Sequence, residues 1–229
     1  MTRIAKLRQI VSANRNLHVK AAAAQLNVSE MTIRRDIRDH PNDFDYIGGH
    51  IFALESANYD LGRAVDLHKS AKQAACANAL ALIKAGDTIF IDCGTTLIHL
   101  VDLLPDDAPL TLVCYAMNIA DRALRKPNIK LIVMGGEYHS KTASFALLKN
   151  DQSYESLAIN TAFLSAAGLD EKLGATCSSF HEVTQKCAAM QRAQKSILVI
   201  DSSKINNSGG SVFAQISDFD QISTDAGIE

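Results

Sequence analysis

The chain has 229 residues, 47% of them hydrophobic, with 23 Lys/Arg against 25 Asp/Glu and a formal net charge of −2. That composition belongs to a folded globular protein and excludes extended disorder. No apolar run approaches the roughly 20 residues of a membrane span, and the N-terminus lacks the apolar core of a signal peptide, so a cytoplasmic location is expected. The 5 cysteines are scattered without a Cys-x-x-Cys pair, and the 7 histidines show no metal-ligand spacing. Reduced, mostly buried thiols are expected, and neither a metal nor a cofactor. Charge is unevenly divided. Residues 1–40 hold eight basic residues against three acidic ones, a net of +5, which leaves −7 for the rest. A basic module joined to an acidic body is the arrangement of many nucleic-acid binders.

In chain order, Ile4, Leu7, Ile10 and Val11 recur at helical spacing and predict a first amphipathic helix over 2–13. Asn14, Arg15 and Asn16 read as a loop. Val19, Ala22, Ala23 and Leu26 form a second helical stripe, which Asn27 breaks. A third helix starts at Ser29, a good N-cap, with Glu30 in its first turn. Ile33 and Ile37 share a face that must be buried, Arg34, Arg35 and Arg38 lie largely on the other side, and His40-Pro41 stops the helix. Met31, beside the apolar stripe, is expected in the core. Two short helices about a tight turn, with another in front, make a helix-turn-helix. Residues 43–47 and 51–54 can pair as strands about Gly48-Gly49, adding a wing. Residues 55–70 read as a linker.

An alanine-rich helix is expected over 71–84. Apolar runs at 88–92, 110–115, 129–134, 161–165 and 196–201 then read as strands, with helices at 97–104, 117–126 and 179–194. Strand–helix alternation predicts an α/β body with a largely parallel sheet. Ligands in such sheets bind beyond the carboxyl ends of the strands. There the sequence places Asp92-Cys93-Gly94-Thr95-Thr96, Asn118, Gly135-Gly136-Glu137, Ala166-Ala167-Gly168 and Asp201-Ser202-Ser203-Lys204. Glycines that admit close backbone approach, hydroxyls and a lysine suit a small, hydroxylated anion; the same Gly-Thr-Thr is also how a capped helix begins. Cys93 reads as filler rather than a nucleophile, since no base stands at readable spacing.

The run His18-Val19-Lys20-Ala21-Ala22-Ala23 and Val28-Ser29-Glu30-Met31-Thr32-Ile33-Arg34-Arg35-Asp36-Ile37 resembles the DeoR family of bacterial repressors, and the Gly48-Gly49 wing fits it. Family wings often carry an arginine before the glycine pair, where this chain has Tyr46-Ile47. The strand-end motifs, with Lys186, are similar to the family's sensor domain. The resemblance therefore implies a winged helix-turn-helix at 1–54 and a phosphosugar-sensing domain at 71–229 similar in fold to ribose-5-phosphate isomerase. It also implies a sequence-specific DNA-binding transcriptional repressor, at least dimeric, controlling sugar or nucleoside catabolism. Asp92–Thr96, Val113-Cys114-Tyr115 and Gly174-Ala175-Thr176-Cys177 point within the family to deoxyribose-5-phosphate as effector. The chain ends at Glu229, short of the usual family length, so a final element is expected to be missing or divergent.

On this reading Lys20, Ser29, Thr32, Arg34, Arg35 and Arg38 are candidates for operator DNA. Gly94, Thr95 and Thr96 would hold the phosphate with Lys204 as counter-charge. Asp92 and Asn118 would take sugar hydroxyls, with Gly135, Gly136 and Gly168 lining the site. The competing reading is a phosphosugar isomerase with a DNA-binding appendage, for which Asp92 and Lys204 would move protons and Glu137 is the available second acid.

Overall fold

A computed structural model describes residues 2–13, 17–40, 43–47, 49–53, 67–107, 109–148 and 152–228. The chain divides into two compact units, 1–59 and 60–229. Most of the expected linker, and the loop at 14–16, lie outside the described residues.

In the first unit α1 (Arg3–Ala13), α2 (Val19–Leu26) and α3 (Glu30–Asp39) pack around Leu7, Val11, Val19, Ala22, Ile33 and Ile37. Ile33 is fully buried, which stabilises the head by about 1.5–3 kcal/mol. Asn27 ends α2 in the left-handed region at φ 52, and its N–H returns to the carbonyls of Ala23 and Ala24. That sharp turn sets α3 across α2. Strands β2 (Phe44–Ile47) and β3 (His50–Ala53) form the wing hairpin, and a two-residue strand β1 (Leu17–His18) pairs with β3. Gly49 turns with φ +88, and a Cβ there would stand 2.8 Å from His18 Nε2. Glycine is required at that corner.

The second unit begins with α4 (Lys69–Leu80), so the last residues of the expected linker are already its first turn. Then follow β4 (Thr88–Ile91), α5 (Ile98–Leu103), β5 (Leu110–Cys114), α6 (Met117–Ala123) and β6 (Ile129–Val133). A hairpin of β7 (Glu137–His139) and β8 (Ser144–Ala146) leads by way of a short 3-10 turn to β9 (Ile159–Leu164). β10 (Gly168–Asp170) and β11 (Gly174–Cys177) precede α7 (Phe180–Arg192) and β12 (Ala193–Val199). β13 (Ser211–Ala214), β14 (Gln221–Thr224) and β15 (Gly227–Ile228) complete the described chain.

The central sheet has seven strands in the order β15-β14-β12-β9-β4-β5-β6, parallel except for the β14–β15 pair. From β4 the chain steps outward through β5 to β6, then returns to the other side of β4 with β9 and steps outward again. The strand order therefore reverses between β4 and β9, and a parallel sheet opens a crevice at such a point. β10, β11 and β13 form a separate antiparallel sheet.

Candidate functional site

In the head, Ser29 Oγ accepts the amide of Thr32 at 3.1 Å and lies 2.9 Å from its hydroxyl, capping α3 as its sequence predicts. Lys20, Ser29, Arg34, Arg35 and Arg38 are exposed and Thr32 half-buried. Met31 is a correction: it is 74% exposed. Two positions along a helix is a rotation of about 200°, so Met31 lies opposite Ile33 rather than beside it. Asp36 faces inward, where Arg3 donates to both its carboxylate oxygens at 2.6 and 2.7 Å and ties α1 to α3. Arg35 and Arg38 reach Asp39 at 3.7 and 3.4 Å, while the Arg34 guanidinium lies 4.9 Å from the centre of the Tyr46 ring on the wing.

In the body, Asp92 ends β4 at the reversal point and is fully buried. One carboxylate oxygen accepts the Tyr115 hydroxyl at 2.6 Å. The other accepts the Ser165 amide at 2.9 Å, the Ser165 hydroxyl at 3.0 Å and the Lys186 ammonium. Asp92 thereby joins the ends of β4 and β9, with no exposed surface of its own. Lys186, also buried, donates to the Ser165 carbonyl at 3.0 Å and stands 4.8 Å over the Phe213 ring. Burial opposes its charge, but the Asp92 carboxylate beside it holds its pKa above the ordinary value. Glu182, one turn earlier on α7, is pushed up to about 7 by burial, against the pull of Lys186. Burial also raises the Cys93 thiol well above its usual range, so Cys93 is a neutral packing group.

Above this floor runs the loop 93–97. Gly94 has φ +105, and its missing Cβ would meet Ser165 Oγ at 3.2 Å. The Asn118 amide donates to the Gly94 carbonyl at 2.9 Å and so anchors the loop. Thr96 accepts Cys76 and His99 on its carbonyl. Lys72 of α4 donates to Thr95 Oγ1 at 2.9 Å, with Lys72, Thr95 and Thr96 all buried. A lysine ammonium, a threonine hydroxyl and a glycine turn are thereby brought together where the strand order reverses.

The other expected residues lie on the same sheet edge but apart. Adjacent strands are about 4.8 Å apart, so the ends of β12 and β6 are separated by roughly four spacings. Lys204 and Gly135 therefore stand to opposite sides of Gly94 along that edge. Gly135 and Gly136 are exposed; a Cβ on Gly136 would stand 1.9 Å from the Ala146 carbonyl, which gives it a packing role in the β7–β8 hairpin. Gly168 likewise admits the backbone of Asn207, whose carbonyl would be 2.4 Å from a Cβ. Lys204 is half-buried, and its ammonium makes no hydrogen bond or ion pair among the described residues.

Sequence reading passed over Lys72 and Glu182, and named Asp201 at a strand end without giving it a role. Asp201 is fully buried, with one oxygen accepting the amide and hydroxyl of Ser203 and the other without a partner among the described residues. Lys72 precedes the buried Ala75 and Cys76 by a helical turn, and that spacing already places it on the inward face. Glu182 and Lys186 are likewise four apart on one face of α7.

Residues 3–44 match the DeoR-like helix-turn-helix domain and residues 67–226 the DeoR C-terminal sensor domain. The chain belongs to the DeoR family. Among relatives, the deoxyribose operon repressor of Escherichia coli K12 is 35% identical over 97% of this chain and 89% of its own length. Among solved structures, translation initiation factor eIF-2B of Pyrococcus horikoshii superposes with a TM-score of 0.51 at 12% identity, covering 71% of this chain and 65% of that one. Ribose-5-phosphate isomerase A of Methanocaldococcus jannaschii superposes with a TM-score of 0.46 at 15% identity, covering 60% and 55%. The DeoR-family sensor thus has the open parallel sheet expected of it, and its described helices include none long and apolar enough to cross a membrane.

Proposed function

We propose that this DeoR-family chain is a cytoplasmic transcriptional repressor that binds operator DNA through α3 and is regulated by a phosphorylated sugar, with deoxyribose-5-phosphate as effector. One observation carries the sensor assignment: the Lys72 ammonium is held on the Thr95 hydroxyl beside the Gly94 turn, at the point where the strand order reverses. Backbone amides, hydroxyls and a buried cation together suit a phosphate better than they suit a neutral sugar. The Asp201 oxygen that has no partner among the described residues supplies an acceptor for a sugar hydroxyl farther along the edge. The relative's name, deoxyribose operon repressor, supports the choice of sugar.

DNA binding by paired heads requires at least a dimer. Effector binding then acts on operator affinity by stabilising one arrangement of the heads over another.

Thermal denaturation against deoxyribose-5-phosphate, ribose-5-phosphate, glucose-6-phosphate and inorganic phosphate tests the sensor. A ligand that binds only the folded chain raises its melting temperature. Deoxyribose-5-phosphate is expected to give the largest rise, lost in Thr95→Ala and Lys72→Met. A rise retained by both variants would put the pocket elsewhere. The isomerase reading has one observation in its favour, the buried Glu182 carboxyl with its pKa at about 7. Ketose formation from ribose-5-phosphate at an enzyme-like rate would decide for it; we expect none, because Glu182 belongs to the engaged floor around Lys186 rather than to the open crevice.

A further inference from the structure

Of the arginines on α3, Arg34 is set apart. Arg35 and Arg38 are 75% exposed and share Asp39, so their forks are partly occupied and their side chains free to swing. The Arg34 guanidinium makes no hydrogen bond or ion pair among the described residues, and its carbon rests 4.9 Å from the Tyr46 ring centre. The ring is itself fixed. Tyr46 pairs in register with the fully buried Ile51, shares its face of the wing hairpin, and packs against the head's core. A guanidinium over an aromatic face is attracted by the ring and keeps its N–H donors available. The cost of ordering the arginine on binding is thereby partly met in advance.

We propose that Tyr46 is a positioning residue for sequence reading, holding Arg34 so that its fork meets the O6 and N7 atoms of a guanine in the major groove. Arg34 is the fifth residue of α3, in the half of the recognition helix that faces base edges in helix-turn-helix complexes. A fixed, planar fork gains most against a fixed, planar acceptor pair, which a guanine edge provides. Phosphates can be met by the mobile Arg35 and Arg38, which pay little for being unoriented. This rests on the operator-binding reading.

The test uses the full chain and a randomised DNA duplex pool. Wild type is selected to a consensus, and each selected guanine is then replaced in turn by 7-deazaguanine, which lacks only the N7 acceptor. At one guanine per half-site this should weaken wild-type binding roughly tenfold. Tyr46→Phe should behave as wild type. Tyr46→Leu and Arg34→Lys should be nearly indifferent to that replacement and should select a relaxed consensus at that position, while binding unselected duplex as wild type does. Circular dichroism melts confirm that both remain folded. If Tyr46→Leu keeps the full 7-deazaguanine penalty, the positioning role is overturned. If wild type tolerates 7-deazaguanine everywhere and Arg34→Gln weakens binding to all duplexes alike while lowering the salt slope, Arg34 holds a phosphate and the proposal fails. A wild type that enriches no sequence overturns the operator reading itself.

Discussion

Asp92 and Lys186 are 94 residues apart in sequence and meet with almost no exposed surface, beneath the loop that should hold the effector. Removing one partner of such a pair strands a buried charge, at a cost of about 3–5 kcal/mol. Lys186→Met should therefore lower the urea midpoint of the sensor domain steeply, and Asp92→Asn should do likewise. The double variant should lose much less than the sum, because no charge is left unpaired; strictly additive losses would mean the pair is not a unit. Glu182 behaves differently. Its carboxyl, raised by burial to about 7 from an ordinary 4.5, keeps a proton in the folded chain that the unfolded chain releases between those values. Its contribution is fully present below pH 4.5 and is lost as the pH rises through 7, by up to about 3 kcal/mol. Glu182→Gln should flatten that decline in urea titrations at pH 5 and pH 8. His181, lowered by burial to about 4, titrates with the opposite sign below pH 6.5, so the comparison must be made against wild type at each pH.

Among the elements, α3 rests most directly on local chemistry, and its cap can be separated from its DNA contacts. Ser29→Ala removes the acceptor for the Thr32 amide and should destabilise the head by about 1 kcal/mol. Ser29→Asp keeps an acceptor and should retain that stability, yet place a negative charge near DNA phosphate and weaken duplex binding. Equal loss of binding and of stability in both variants would make Ser29 a cap alone. This helix was legible because cap, first-turn acid and the Ile33–Ile37 stripe are all local. The parallel strands were legible for the same reason, being continuous apolar runs. β14 was not: Gln221–Thr224 reads as a polar segment, and it is held by its parallel pairing with β12 and by the Ser223 hydroxyl bonding to Ala75, 148 residues away. The site divided along the same line. The Gly94-Thr95-Thr96 turn announces itself, whereas Lys72, Glu182 and Asp201 matter only through what folding places beside them. Asp92 was found by its position, but its partners Tyr115, Ser165 and Lys186 come from distant segments that sequence does not bring together.

At the scale of the whole chain, charge is segregated: +5 lies in residues 1–40 and −7 in the remainder. The two binding events should therefore answer salt differently. Duplex binding draws on exposed arginines, each of which releases counterions from DNA, so log K should fall linearly with log salt. Arg35→Gln should reduce the magnitude of that slope by about 0.9 for each bound head. The proposed phosphate site is the reverse case. Lys72, Thr95 and Thr96 are buried, and mobile ions screen a buried pairing weakly. The melting-temperature rise with deoxyribose-5-phosphate should thus survive an increase from 50 to about 300 mM salt that reduces duplex affinity a hundredfold or more. A rise that fades in parallel with DNA binding would place the phosphate on an exposed cation such as Lys204 instead. Because the two slopes differ, moderate salt should also separate the states of the molecule: effector-loaded and off DNA, while the sensor remains saturated. Fluorescence anisotropy of a labelled duplex, followed with and without deoxyribose-5-phosphate across that range, measures both slopes on one preparation.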